Sequence, residues 1–432
     1  MKFTLIIPGK NWRLSLAELT SLFDARGIKF FVYTFSKNFF VVSTKKEVDA
    51  SIIDYLGGII KIGVSATSFS TKIVKRAFLQ EDKRAKEQIS KKIATSGLID
   101  DIVKTDLKKT IFGVSVYCAE KSLRSVSKII QRFVGSSIKK ELSGYGKKSK
   151  FMGFAKDRRL PQLSNVEVLK KHMVENKAEI LFCVGRDLTF LATTVAVHDP
   201  FEFQKRDVGK PIQRKIFAIS PRIARIMVNL ASCTEGKTLL DPFCGVGTIL
   251  QEALLSKGKA IGVDINRWCI EASIRNMKWL EKEYRLENAE YRAIKGDVHR
   301  LTKKIGCEQI DCIATEPDLG PALRQVPTES YAVRIVDKLE PLYYGLLEEA
   351  HKVLKKGGRL VLVSPFIKTR SGKPVTLKIT KKALEIGFER VFPFKREFFE
   401  DFTTIEGLFG VSSFVDTEKR HKIGREIKLF QK

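Results

Sequence analysis

The sequence predicts an α/β protein: a doubly wound parallel sheet over 220–432, preceded by two smaller α+β units over 1–70 and 71–197. Three observations point there. From Ser220 onward, apolar strand-like runs alternate with stretches of helical periodicity, the pattern of successive β-α-β units. The first of those strands ends in an acid, followed by a glycine-rich turn into a helix. Upstream, short aromatic and β-branched runs are interleaved with amphipathic helices in compact spans, which suits small α+β units.

In the first unit, ferredoxin-like in its mixture, Phe3 to Ile7 reads as a strand and Ser15 to Arg26 as an amphipathic helix closed by Gly27. Lys29 to Phe35 and Phe39 to Ser43 read as strands, and Lys46 to Leu56 as a helix before the Gly57-Gly58 break. In the second unit a lysine-rich helix is expected near Glu81 to Ala94 and a strand at Ile111 to Tyr117. One long helix, Lys121 to Leu142, follows and ends at Ser143-Gly144-Tyr145-Gly146. Ser164 with Glu167 forms a capping box that opens a helix at Asn165. Strands at Glu179 to Val184 and Thr189 to Ala196 complete the unit. Residues 198–219 read as a connector, because His198 to Pro211 holds two prolines and clustered charges.

The last unit opens with a helix, Pro221 to Ala231, carrying proline in its first turn. Its strands are expected at Thr238 to Leu240, Ala260 to Val263, Tyr291 to Ile294, Ile310 to Ala314 and Arg359 to Ser364. Helices between them include Arg267 to Leu280 and Leu339 to Leu354. Two more strand-like runs, Ser412 to Val415 and Ile427 to Phe430, end the chain.

Composition narrows the class of partner. Of 432 residues 44% are hydrophobic, enough for ordinary cores, and 78 Lys and Arg face 49 Asp and Glu, a net charge of +29. That excess favours a polyanion, nucleic acid above all. It is steepest between Asp101 and Leu160, with 15 basic against 5 acidic residues. Lys139, Lys140, Lys147, Lys148, Lys150, Arg158 and Arg159 crowd there near Tyr145 and Phe151. Lysines hold phosphates without reading bases, and an aromatic ring stacks on an unpaired base, so these seven are the candidate RNA-binding residues. No apolar run approaches 18 residues, so no membrane span is expected. Seven cysteines without a CxxC pair and five histidines without HExxH spacing suggest a reduced, cytoplasmic setting and no metal site.

The strongest local signal is Leu239-Leu240-Asp241-Pro242-Phe243-Cys244-Gly245-Val246-Gly247-Thr248. Gly245 and Gly247 let the backbone approach a ligand closely. Dinucleotide enzymes use a related loop with a third glycine, but here Leu250 stands in its place. An acid at the strand end repels phosphate and suits a cofactor bearing a positive amino group. Asp264 ends the next strand, where an acid can accept both ribose hydroxyls of a nucleoside. Asp297, after Gly296, is placed to accept from an adenine amine, with Val298 packing on the ring. The fourth strand runs into Thr315-Glu316-Pro317-Asp318-Leu319. An amine nucleophile needs its N–H groups held, and Glu316 with the Pro317 carbonyl offers two acceptors.

These residues resemble S-adenosylmethionine-dependent methyltransferases that modify exocyclic amines, whose catalytic domain is Rossmann-like. More closely, the chain resembles the archaeal and eukaryotic tRNA guanosine-10 N2-methyltransferases, which carry a THUMP tRNA-binding domain. The likeness lies in Leu56-Gly57-Gly58-Ile59, Phe112-Gly113-Val114, Leu163-Ser164-Asn165-Val166-Glu167, Arg206-Asp207-Val208-Gly209-Lys210-Pro211, the Asp241 to Gly247 loop and Arg420-His421-Lys422. It implies S-adenosylmethionine as cofactor, held by Asp241, Phe243, Gly245, Gly247, Asp264, Asp297 and Val298. It implies tRNA as partner, gripped by a THUMP unit over 71–197, and catalysis at Glu316, Pro317, Asp318 and Leu319. The family's motif here is Asp-Pro-Pro-aromatic, so Glu316 is one methylene longer, and Leu319 offers no ring to stack on a base. The residues themselves leave open an adenine-N6 methyltransferase and a tRNA-binding protein that no longer catalyses. Accessory subunits and the number of methyl groups added are not legible.

Overall fold

A computed structural model describes residues 2–105, 107–153, 161–214, 218–400, 407–418 and 421–432. The described residues build two sheets. The first has eight strands: β1 (Lys2–Pro8), β2 (Phe30–Phe35), β3 (Phe40–Thr44), β4 (Ile59–Ser70), β5 (Thr110–Cys118), β6 (Ser149–Phe151), β7 (Glu179–Val184) and β8 (Leu188–Val197), in the order β2-β3-β1-β4-β8-β7-β5-β6. Helix α1 (Trp12–Ala25) connects β1 to β2. Helices α2 (Thr71–Leu79), α3 (Lys83–Ala94) and α4 (Leu98–Val103) lead into β5; α5 (Lys121–Ser125), α6 (Ser127–Gly144) and α7 (Asn165–Lys170) follow it.

Strand β4 was not expected. Gly63 and four Ser or Thr residues between Ser65 and Ser70 dilute its apolar alternation. It pairs with β1 on one side and with β8 on the other, so the elements before and after residue 70 share one sheet. A buried polar knot fastens them. The Lys61 ammonium donates to the Leu163 carbonyl (2.8 Å) and pairs with Glu179, which also accepts from Ser115 Oγ (2.6 Å) and Thr194 Oγ1 (2.8 Å). All four side chains are buried, and each finds a partner, as burial of polar groups demands.

Three other expectations are corrected. Lys46 to Leu56 forms a single 3₁₀ stretch, Ala50–Tyr55, because the Asp49 side chain accepts from the Ser51 N–H (2.9 Å) and starts a tight turn there. The long helix splits at Val126, where Ser125 and Ser127 hydroxyls bond back to the Ser122 and Arg124 carbonyls (both 2.7 Å). The connector contains a helix, α8 (Pro200–Val208), capped by Asp199. The Ser164–Glu167 capping box is present as expected.

The second sheet holds β9 (Thr238–Asp241), β10 (Lys259–Asp264), β11 (Tyr291–Lys295), β12 (Ile310–Thr315), β13 (Leu354–Ile367), β14 (Val375–Thr376), β15 (Glu389–Arg390), β16 (Ser413–Asp416) and β17 (Ile423–Gln431). Its main path is β11-β10-β9-β12-β13-β17-β15, with β14 beside β13 and β16 beside β17. Strands β9 to β13 run parallel and β17 is antiparallel to β13, so the expected doubly wound sheet is present. Around it lie α9 (Pro221–Leu230), α10 (Thr248–Leu255), α11 (Arg267–Glu283), α12 (Leu301–Ile305), α13 (Glu329–Val353) and α14 (Ile379–Ile386). Helix α13 starts ten residues before the expected Leu339, since its buried stripe begins with Ala332, Ile335 and Val336 and runs on through Leu339 to Tyr343, past an exposed Pro341. Strand order reverses between β9 and β12, the switch point at which ligands generally bind in such sheets. Among the described residues, no helix is long and apolar enough to cross a membrane.

Helix α9 is the seam between the two sheets. Arg222 Nε donates to the Gly57 carbonyl (2.9 Å), Arg225 Nη1 to that of Asp54 (3.2 Å) and Asn229 Nδ2 to that of Tyr55 (2.6 Å). Spacings of three and four place these residues on one face. Glu18 of α1 accepts from the Gly57 and Gly58 N–H groups and from Asn229, each at 2.7 Å. Burial pushes its carboxyl up to about 7 against those bonds.

Candidate active site

The site is built on the carboxyl end of β9. Asp241 is 2% exposed; its Oδ1 accepts from Thr315 Oγ1 (2.7 Å) and from the Phe243 N–H (3.1 Å). Burial above all pushes its carboxyl up to about 7, the two hydrogen bonds pulling the other way and nearby Asp264 and Glu316 adding to the rise. Both bonds fall on Oδ1, so Oδ2 keeps its capacity for a cationic donor.

The two loop glycines serve different ends. Both have positive φ, +50° at Gly245 and +86° at Gly247. A Cβ at Gly247 would lie 2.6 Å from Ser273 Oγ, so that glycine lets α11 close on the loop. At Gly245 the nearest atom is Arg214 Nη1 at 3.8 Å, leaving room beside the loop. The missing third glycine has a counterpart on the sheet. A Cβ on Gly262 of β10 would stand 2.6 Å from Leu250 Cδ1. Close helix–strand contact is reached here with glycine on the strand and leucine on the helix.

Asp264 lies at the expected strand end, where Oδ2 accepts from the Gly245 N–H (3.0 Å) and Oδ1 from the Asn266 N–H (2.8 Å). It therefore ties the glycine loop to the start of α11. Asp297 accepts from the His299 N–H (3.0 Å) and sits 2.9 Å from His299 Nδ1, bonds that hold its carboxyl below the usual range. Val298 is 5% exposed and packs in the core cluster that includes Leu240 and Val263.

Glu316 forms a two-point ion pair with Arg425 of β17, Nε to Oε2 and Nη2 to Oε1 (3.1 Å). Pro317 is buried. Asp318 turns its side chain onto the Gly320 N–H (2.9 Å), while its carbonyl accepts from the Tyr343 hydroxyl (3.0 Å). Leu319 is partly buried against the main apolar core. A cleft of about 720 Å³ opens beside this lip, walled by Leu319, Arg425 and Lys422 on one side and by Lys10, Gly58 and Arg222 on the other.

Sequence reasoning missed Thr315, Arg425 and the strap that holds the loop. Arg206 donates to Glu252 (2.8 Å), Lys210 to Thr248 Oγ1 (2.9 Å), and Asn276 exchanges two bonds of 2.9 Å with the Ile212 backbone. The signal was there: Arg206-Asp207-Val208-Gly209-Lys210-Pro211 puts cations where burial needs partners.

Of the candidate RNA contacts, Lys139, Lys140, Lys148 and Lys150 are exposed around the end of α6 and β6. Lys147 is corrected: it is half-buried, its ammonium donating to the Val103 (3.3 Å) and Thr105 carbonyls at the end of α4. Arg158, Arg159 and Arg420 lie outside the described residues.

Residues 213–370 match the RMKL-like methyltransferase-domain family, UPF0020. Over 144 residues the chain is 30% identical to the probable tRNA (guanine(10)-N2)-dimethyltransferase of Methanothermococcus thermolithotrophicus, covering 33% of this chain and 79% of that protein. The chain belongs to the tRNA (guanine-10 N2) methyltransferase family. It is also 32% identical over 160 residues to the tRNA (guanine(10)-N2)-dimethyltransferase of Methanothermobacter thermautotrophicus, covering 36% of this chain and 42% of that one. The chain spans about two fifths of the length of the first curated relatives it matches. The crystal structure of TrmN from Thermus thermophilus shares the fold, with a TM-score of 0.51 at 14% identity over 100% of this chain and 99% of that one.

Proposed function

We propose that this protein is an S-adenosylmethionine-dependent methyltransferase that modifies the exocyclic N2 of a tRNA guanosine, at position 10. The observation that carries the reading is the buried Asp241 carboxylate, bridged by Thr315 to the loop that bears Glu316 and Pro317. Cofactor and amine acceptors thus share one rigid support. S-adenosylmethionine, when bound, would supply a sulfonium methyl group to an amine lone pair, the N–C bond forming as the S–C bond breaks and S-adenosylhomocysteine leaves.

The chain's own residues position both reactants. Asp241 Oδ2 takes the cofactor's amino group, and Gly245 leaves the backbone open to it. Asp264 keeps that loop in place and has lone pairs left for ribose hydroxyls. A carboxylate offers about four acceptor sites, so Glu316 can hold Arg425 and still accept one amine N–H. The Pro317 carbonyl takes the other, and the surplus proton leaves through Glu316 to solvent. The unit over 71–197, THUMP-like by resemblance, holds tRNA through its lysine surface.

The deciding experiment is transfer from labelled S-adenosylmethionine into unmodified tRNA transcripts, with duplex DNA in parallel. Label in N2-methylguanosine, lost when guanosine 10 is replaced, is expected. Label in N6-methyladenosine would instead assign an adenine target, and binding without label would leave a tRNA-binding protein. Replacing Lys139, Lys140, Lys148 and Lys150 together by Ala should lower the slope of log affinity against log salt by about 3, since each phosphate contact contributes about 0.7–0.9. Turnover at saturating tRNA should stay within about threefold, because KM and not kcat reports such uniform contacts. An unchanged salt slope would move the RNA surface elsewhere.

A further inference from the structure

We propose that Arg425 is a positioning residue for methyl transfer, fixing the Glu316 carboxylate that receives the target amine. The inference rests on the role proposed for Glu316. Glutamate has one more rotatable bond than aspartate, so an unsupported Glu316 would sweep its acceptor oxygens across the cleft mouth. The structure supplies the missing restraint. A planar guanidinium meets both carboxylate oxygens, which fixes the plane and the direction of the remaining lone pairs.

The support itself is rigid. Arg425 lies in β17, paired with Pro365 of β13 on one side and Asp416 of β16 on the other. Its Nη2 also reaches the Ala218 carbonyl at 3.5 Å, just before α9. The side chains of Arg425 and Glu316 are 16% and 8% exposed, so the pair is largely out of water and removing one partner strands the other. Arg425 and Leu319 line the 720 Å³ cleft, so the arginine that holds Glu316 stands at its wall.

The test compares the parent with Arg425→Ala, Arg425→Lys, Glu316→Gln and the double variant Glu316→Gln/Arg425→Ala on tRNA. Arg425→Ala should lower kcat about 100-fold, with KM for tRNA and Kd for cofactor each within about threefold. Arg425→Lys should fall between, because one ammonium cannot align two oxygens. Added guanidinium chloride at low concentration should recover part of the Arg425→Ala rate but none of the double variant's. The double variant should be no more than about threefold slower than the slower single variant, since the two residues act as one unit.

Arg425→Ala with unchanged kcat overturns the inference. So does parallel loss of cofactor binding, tRNA binding and thermal stability without guanidinium recovery, the signature of a merely structural residue. If the parent methylates no base amine, the functional reading itself falls and this inference falls with it. A parent that methylates tRNA beside an unimpaired Arg425→Ala variant rejects the inference alone.

Discussion

A chain carrying Asp241→Asn is expected to bind S-adenosylmethionine at least about 100-fold more weakly than the parent, the usual result of taking one charge from a desolvated pair. The substitution is nearly isosteric. Asparagine Oδ1 can still accept from Thr315 Oγ1 and the Phe243 N–H, so the loop should keep its shape, and the ligand-free variant should melt no lower than the parent at pH 7 and above, where the parent buries a charge. What is lost is the negative charge at Oδ2. The parent should also show a pH signature. With the carboxyl pushed up to about 7, mainly by burial, the group is increasingly protonated at lower pH and cannot hold an ammonium. Affinity should therefore improve from pH 6 to pH 8, by at most about tenfold per unit, and then level off. The ligand-free chain behaves oppositely. A folded value above the ordinary 3.8 means that the proton favours the folded state, so this residue's contribution to stability declines as pH rises from about 4 through 7. Titration calorimetry at pH 6, 7 and 8 measures the affinity. An Asn variant that binds within threefold of the parent, or a parent with flat affinity, would remove Asp241 from the cofactor site.

The doubly wound half was legible because its signals are local. A strand ending in Asp241, a turn through Gly245 and Gly247, and a helix from Thr248 are all written within ten consecutive residues. Strand β4 was not, because what makes it a strand is two long-range ladders, to β1 and to β8, and neither partner is near in sequence. The site divides in the same way. Asp241, Asp264 and Asp297 sit at strand ends, and a strand end can be read from its own neighbourhood. Arg425 lies 109 residues from Glu316, and no local pattern joins them. Lys147 shows the converse: a lysine in a basic run looks available in sequence, yet its ammonium is taken by helix-end carbonyls.

The second large effect is expected at Gly57, far from the reacting atoms. A Cβ there would stand 2.3 Å from the Arg222 carbonyl oxygen and 3.1 Å from Arg225 Cβ. The first is helix backbone, so it cannot swing aside as a side-chain end would; either α9 moves or the Gly57-Gly58 turn does. Each move breaks the bonds that Glu18, Arg222 and Asn229 make across the seam. Overpacking of this kind costs about 1–3 kcal/mol, and a shift of about 1 Å between positioned groups can cost about 100-fold in rate. Gly57→Ala should therefore lower the melting temperature and reduce kcat on tRNA at least about tenfold. Affinity for tRNA should change little, because the seam bonds involve none of the exposed lysines around α6. Gly144→Ala provides the control, since a Cβ at Gly144 meets nothing within 4 Å. The same measurement made on a free guanosine substrate separates two explanations. If the seam sets the distance from the lysine surface to Glu316, the rate defect belongs to tRNA and shrinks with the small substrate. If the small substrate suffers equally, α9 supports the catalytic loop itself, and the first sheet contributes affinity without setting reach.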